Sequence, residues 1–425
     1  MNVRSLTEPL LQNRFLRAVL TLASASAAGQ LIMLAVTPVL TRLYTPEAFG
    51  VLAVFSSLMG VVLVVSSLRY ELAIPLPRSD RNAAQLLVLA LLINLGTAVV
   101  IVIAVLLLRH KVAAWMQTPA MANLLWLLPI AIVTAGSYQA LNFWAVRNRD
   151  YKRIARTRIS QGIANAMVQV VGGLAGLGPL GLVSGQVVGQ SVGVSRLAKG
   201  IGLRRFWQRS KGSPLRSWAL MKAHQRFPKY DVPAAGVNAM SAQLPNFVLG
   251  VLFSPTVAGF YYLAERVLGT PMSMVGQAVA QVLYGQSRED IQSGVLCHTV
   301  RRVLLVLTLI VAPPALCIFV FAEPVFVLIF GEAWRQAGIY AGWLVIGLAV
   351  QFVYSPLSMV LMATDGQLVN LGIHSFIFLI KLGALLIGFR QGDAFLGIQG
   401  LAFALVLGYG VGIVLILRRA AQVRA

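Results

Sequence analysis

Long apolar runs cut by short polar joints account for nearly all of the chain's 425 residues. A helix needs about 20 consecutive apolar residues to cross the hydrocarbon core of a bilayer. Runs of about that length stand at 16–41, 48–68, 83–108, 120–146, 157–177, 180–198, 232–253, 257–284, 302–321, 338–361, 367–389 and 396–417. The joint between the fifth and sixth, Leu177 to Gly181, is too tight for a folded insertion. The pattern predicts an all-α integral membrane protein of about 12 transmembrane helices. Composition agrees: 58% of residues are hydrophobic and only 11% charged, against about 25% charged in a water-soluble domain.

Charge supplies the orientation. With the N-terminus taken as cytoplasmic, the inner joints and ends hold 28 of the 35 Lys and Arg. The outer loops hold five, Arg42, Arg109, Lys111, Arg335 and Arg390, while Arg266 and Lys381 fall inside spans. Cationic joints stay on the cytoplasmic side, so both termini are expected there. The net charge of +22 then belongs to separate joints facing anionic membrane lipid, and no nucleic-acid partner is expected. The first apolar run is too long for a cleavable signal peptide and lacks a small-residue cleavage pattern. The two cysteines, Cys297 and Cys317, fall in an inner joint and a span, with no disulfide, zinc or redox spacing.

The chain also repeats itself. LYTPEAFG (43–50) aligns with LFSPTVAG (252–259), and LGPLGLVSGQVVG (177–189) aligns with LGIQGLAFALVLG (396–408). Both matches pair equivalent joints of two six-span halves. The halves are expected to share one orientation about a pseudo-two-fold axis along the membrane normal, as in transporters built from parallel repeats. The predicted organisation is a six-helix lobe at 1–198, a basic cytoplasmic linker at 199–230 and a second six-helix lobe at 231–425. The linker carries Trp207 and Trp218, residues suited to the membrane interface, and Arg216–His224 reads as a short surface helix.

Ionisable groups within spans are costly and face a bundle interior or a cavity. In span 8, Tyr262, Arg266, Thr270, Ser273 and Gln277 fall on one stripe, with Tyr284 further along and Glu265 about 100° around the helix. In span 11, Asn370, His374 and Lys381 fall within about 40° of one another. Arg266 and Lys381 both lie about 12–14 Å below the outer boundary at 1.5 Å per residue, which predicts a shared basic chamber. The alternative is that Glu265 and Arg266 satisfy each other or span 7, and that Lys381 snorkels. Span 1 has a weaker stripe of Ser26, Gln30, Thr37 and Thr41, equally suited to helix packing. Pro38, Pro233, Pro245 and Pro271 allow bends. No H-E-x-x-H, P-loop or dinucleotide fingerprint occurs, and the 13 acidic residues offer no evident catalytic pair. No catalytic residue, metal ligand or cofactor is therefore assigned. Transport would run on an ion gradient, the membrane potential or the substrate's own gradient.

Five segments carry a resemblance: LTRLYTPEAFG (40–50), LRYELAIPLPRSDRNAAQL (68–86), RFPKYDVPA (226–234), LFSPTVAGFYYLAERVLG (252–269) and PMSMVGQAVAQVLY (271–284). Together they resemble the polysaccharide transporter family, which includes the Wzx-type O-antigen flippases of the multidrug/oligosaccharidyl-lipid/polysaccharide (MOP) superfamily. The resemblance covers almost the whole chain. It implies two six-helix lobes around a central cleft, which the repeat predicts to be lined by spans 1, 2, 7 and 8. It implies a lipid-linked oligosaccharide, carried on polyprenyl pyrophosphate, moved to the periplasmic leaflet of a bacterial inner membrane for O-antigen, capsule or exopolysaccharide synthesis. Protein partners to consider are a polysaccharide polymerase and a chain-length regulator. Arg266, within AERVLG, is the best-placed pyrophosphate ligand. Arg69 and Glu71 of the RYE motif stand at the inner mouth, and Lys381 lies outside these motifs. The substrate-binding candidates are thus Arg266, Lys381, Arg69, Gln30, Gln277 and His374, with Glu265 and Glu71 as coupling or charge-pairing residues. Two other readings stay open: a cation-coupled multidrug exporter of the same superfamily, and a membrane polysaccharide polymerase or glycosyltransferase.

Overall fold

The computed structural model describes residues 14–116, 118–199, 214–364 and 366–422. Trp207 lies outside the described residues, as do the side chains of Ser26 and Tyr284. Among the described residues the chain is all-α, with no strand. Twelve long helices follow the twelve apolar runs. The first six are α1 (Arg14–Leu43), α2 (Pro46–Val65), α3 (Asp80–Trp115), α4 (Leu127–Arg147), α5 (Tyr151–Leu174) and α6 (Pro179–Ala198). The second six are α7 (Val232–Val248), α8 (Pro255–Gln292), α9 (Leu296–Phe330), α10 (Arg335–Leu357), α11 (Gln367–Arg390) and α12 (Ala394–Gln422). A short helix occupies Pro214–Ala223, and a π-helical turn, Leu249–Phe253, ends α7.

Six stretches, Pro46–Val65, Asp80–Trp115, Leu296–Phe330, Glu332–Met362, Leu368–Arg390 and Ala394–Gln422, are long and apolar enough to cross a membrane. Large apolar side chains stand exposed along α3 (Leu92, Val100, Leu107) and α9 (Leu309, Leu316, Leu328). Water does not tolerate apolar patches of that extent on a monomer; lipid does. The less apolar helices α1, α5, α6 and α8 line the two pockets described below.

The chain forms two compact units. One comprises Met1–Leu43 and Leu58–Ala239, the other Tyr44–Ser57 and Met240–Ala425. In the first, α1 packs on α5, α5 on α6, α6 on α4 and α4 on α3. Its core includes Leu86, Leu87, Leu141, Trp144, Ile154 and Leu197. In the second, α8 and α9 pack on α10, α10 on α12 and α12 on α11. Its core includes Leu307, Phe352, Leu357, Ile377, Leu405 and Ile416.

The first repeat has a physical basis, and it lies within the second unit. Thr45 and Ser254 are equivalent helix caps: the Thr45 hydroxyl accepts from the Ala48 N–H at 3.3 Å and the Ser254 hydroxyl from the Val257 N–H at 3.2 Å. Each cap is followed by a proline in the first turn, where its missing N–H costs nothing. The two joints then pack against each other reciprocally. A Cβ on Gly50 would overlap the Pro255 carbonyl, and one on Gly259 would overlap the Pro46 carbonyl. Both positions need glycine because the backbones touch there. Phe49 secures the contact, its ring 4.9 Å from the fully buried Trp334, which also meets Phe260 at 6.1 Å.

Candidate functional site

The α8 stripe opens into a cavity of about 350 Å³ in the second unit. Tyr262, Arg266, Thr270 and Ser273 line it from α8, and Gln351, Phe352 and Ser355 from α10. The Arg266 guanidinium lies 5.9 Å from the Tyr262 ring centre, in cation–π range. Among the described residues it makes no ion pair. Its charge lies on the cavity wall beside the Tyr262 ring. Gln277, one turn beyond Ser273, is exposed and outside the lining.

Glu265 shares the cavity wall but has partners of its own. The Asn246 side-chain amide donates to its carboxylate at 3.0 Å. Lys381 of α11, only 8% exposed, lies within electrostatic reach of it without a direct ion pair. The structure thus sets neighbours in sequence to different tasks, with Arg266 turned to the cavity and Glu265 to Asn246 and Lys381. Lys381 does not line the Arg266 cavity. His374, two turns from Lys381 on α11, stacks edge-on to Tyr354 at 6.2 Å, and the Tyr354 hydroxyl donates to Asn370 at 3.0 Å.

Arg69 and Glu71 sit elsewhere, in the first unit, on the turn after α2. Leu68 and Arg69 both adopt left-handed backbone, with φ of 49° and 63°, a cost on the order of 1 kcal/mol each. Buried Glu71 accepts from the Ser67 hydroxyl and lies 3.8 Å from Arg69. The Tyr70 hydroxyl donates to the Met221 carbonyl at 3.2 Å, and burial pushes the phenol above its ordinary pKa. Arg147 closes the loop, donating to the Pro77 carbonyl at 2.6 Å and to Asp80 at 3.0 Å. These contacts shape the turn, and neither Arg69 nor Glu71 lines either pocket.

Gln30 lines a second pocket of about 170 Å³, with Arg158, Gln161 and Asn165 of α5 and Gln186 and Gln190 of α6. Arg158 is absent from the sequence candidates because it reads as one more cation of the joint after span 4. The missed signal is periodic: Arg158, Gln161, Asn165 and Gln169 recur on one face of α5 at helical spacing.

A model of the polysaccharide biosynthesis protein family matches residues 39–338, more than two thirds of the chain. The chain belongs to that family. The matched region contains Arg69, Glu71, Arg158, Glu265, Arg266 and Gln277, and leaves Gln30, His374 and Lys381 outside. This family member is 24% identical over 318 residues to the succinoglycan biosynthesis transport protein ExoT of Rhizobium meliloti (strain 1021), covering 73% of the chain and 60% of that relative. It is 24% identical over 362 residues to the lipopolysaccharide biosynthesis protein WzxC of Escherichia coli (strain K12), covering 84% of the chain and 71% of that protein. Among solved structures, the lipid II flippase MurJ in an inward closed conformation superposes with a TM-score of 0.73 at 11% identity, covering 94% of this chain and 90% of MurJ. An inward-facing multidrug resistance MATE family transporter of the MOP superfamily superposes at 0.65 and 14% identity, covering 95% of each chain. At those identities the likeness is one of fold. The family member is a multi-pass membrane protein with the all-helical fold of MOP superfamily transporters.

Proposed function

We propose that this protein is a flippase, not an enzyme. Its substrate is an oligosaccharide on polyprenyl pyrophosphate, moved from the cytoplasmic to the periplasmic leaflet of a bacterial inner membrane by alternating access of two six-helix lobes, 1–198 and 231–425. Both termini are cytoplasmic, in keeping with the 28 inner Lys and Arg. The family and the two relatives, one named for succinoglycan transport and one for lipopolysaccharide biosynthesis, support the substrate class. The observation that carries the reading is Arg266 itself: a cation inside a span, without an ion pair, on the wall of a 350 Å³ cavity. A pyrophosphate brings negative charge and only acceptor oxygens, which a guanidinium fork matches with charge-assisted hydrogen bonds. Attraction strengthens as the site sheds water. Thr270 adds a hydroxyl on the same wall, and the polyprenyl tail stays in lipid. Lys381, His374, Gln277, Arg69 and Gln30 remain substrate-binding candidates. Glu71 is given a charge-pairing role with Arg69.

The test is export of surface polysaccharide. Arg266→Ala abolishes it at normal protein abundance, while Arg266→Lys retains part, because a point charge survives the loss of fork geometry. Normal export from Arg266→Ala at wild-type abundance would remove the residue from the site. One observation favours a second reading, a cation-coupled exporter: Glu265 shares the cavity wall. Under that reading Glu265→Gln abolishes efflux of cationic drugs and leaves surface polysaccharide intact.

A further inference from the structure

The first unit's pocket, to which Gln30 belongs, is given no ligand group above, yet it is a built site. On α6, Gly185, Gly189 and Gly193 stand four residues apart; on α5, Gln161, Asn165 and Gln169 do the same and meet them in reverse order. A Cβ on Gly189 would come within 3.1 Å of Asn165 Cβ and of the Gln161 carbonyl, and one on Gly185 within 2.9 Å of the Asn165 carbonyl. On the other flank, α1 crosses α5 at Gly29 and Gly162. A Cβ on Gly29 would come 2.9 Å from the Arg158 carbonyl, and one on Gly162 2.9 Å from the Gly29 carbonyl. Small residues let three backbones approach closely, and the α5 amides are seated between them at fixed heights.

The lining is five amides and one guanidinium, with no carboxylate. Gln161 Nε2 donates to Gln190 Oε1 at 3.1 Å. Arg158 Nε and Asn165 Oδ1 are buried without a hydrogen-bond partner. Leaving a buried donor atom and a buried acceptor atom open is costly, and a ligand that satisfies both must carry acceptors and hydroxyls together. Amides present donor and acceptor side by side, the complement of hydroxyls on adjacent ring carbons. The guanidinium fork matches a carboxylate. Phosphate offers acceptors alone and would leave the amide oxygens facing like groups. The volume of about 170 Å³ suits a single sugar ring.

We propose that this pocket is a sugar subsite for one hexose ring bearing a carboxylate, within the oligosaccharide of the proposed function, on which the identity of the cargo rests. Arg158 pairs with the carboxylate, and Gln161, Asn165 and Gln190 pair with ring hydroxyls.

The test uses the full-length protein in lipid nanodiscs, with glucuronate, glucose and inorganic phosphate as probes in ligand-observed NMR. Glucuronate is expected to bind at least about tenfold more tightly than glucose, as one charge-assisted pair provides. Arg158→Gln lowers glucuronate to the level of glucose, and Arg158→Lys keeps part of the preference. Gln190→Leu weakens both sugars. Equal binding of the two sugars, displacement of glucuronate by phosphate, or an unchanged preference in Arg158→Gln would overturn the assignment. The export test of Arg266→Ala stands apart. Lost export with no glucuronate preference overturns only the sugar subsite, and normal export with the preference intact overturns only the pyrophosphate site.

Discussion

The two halves share three helix pairings and part company at the fourth. In the first unit α3–α4, α4–α6 and α5–α6 pack together, and in the second α9–α10, α10–α12 and α11–α12 do the same. The first unit then adds α1 against α5, whereas the second adds α8 against α10. Each pocket forms at that odd pairing, so the cations occupy inequivalent positions: Arg158 on the fifth helix of its half, Arg266 on the second. The second unit also buries a cation on its own fifth helix, Lys381, but supplies Glu265 and Asn246 around it. Repetition of a fold has not meant repetition of a site. One half keeps a neutral amide pocket with an unanswered cation, and the other encloses a charge cluster beside an open one.

The largest effect should come from the one contact the repeat makes with itself. Gly50→Val or Gly259→Val drives a side chain into a facing backbone carbonyl and should cost about 3 kcal/mol or more. Gly269→Ala, where a Cβ meets nothing within 4 Å, should be nearly silent. Melting temperatures in detergent distinguish them, and equal losses would mean that the joint is not the tight point.

A smaller effect separates the buried Lys381 from the half-buried Arg158. Lys381→Met strands the Glu265 carboxylate. Breaking a buried pair in contact costs about 3–5 kcal/mol, and this longer-range one should cost about 2. Adding Glu265→Gln should restore most of it. Arg158→Met has no carboxylate in its pocket to strand and should change stability by less than about 1 kcal/mol. A reversal of that order, measured by thermal unfolding of the purified variants, would erase the contrast between the halves.

The positions of all twelve helices were legible, because about 20 apolar residues are the length a bilayer demands. Their ends were less so. α8 runs on to Gln292 and α9 spans Leu296–Phe330, beyond the apolar runs at 257–284 and 302–321. Hydropathy marks where lipid ends, while a helix continues as long as its backbone bonds do. The α8 stripe from Tyr262 to Ser273 was legible from its period. Glu265's partners were legible only in part: span 7 was one of the alternatives, but the neighbour Arg266 competes in sequence, and only the packing of α7 and α11 singles out Asn246 and Lys381. Arg158 stayed hidden because a cation near a helix start looks like a topology signal until the amide ladder behind it is seen.

The account turns on Arg266 holding a pyrophosphate, and binding measures this most directly. Purified wild-type protein should bind polyprenyl pyrophosphate at least about tenfold more tightly than polyprenyl monophosphate, the scale of one added charge-assisted hydrogen bond. Arg266→Ala should lose that difference while binding both lipids through their tails. Equal wild-type affinity for the two lipids, or an undiminished preference in Arg266→Ala, would contradict it.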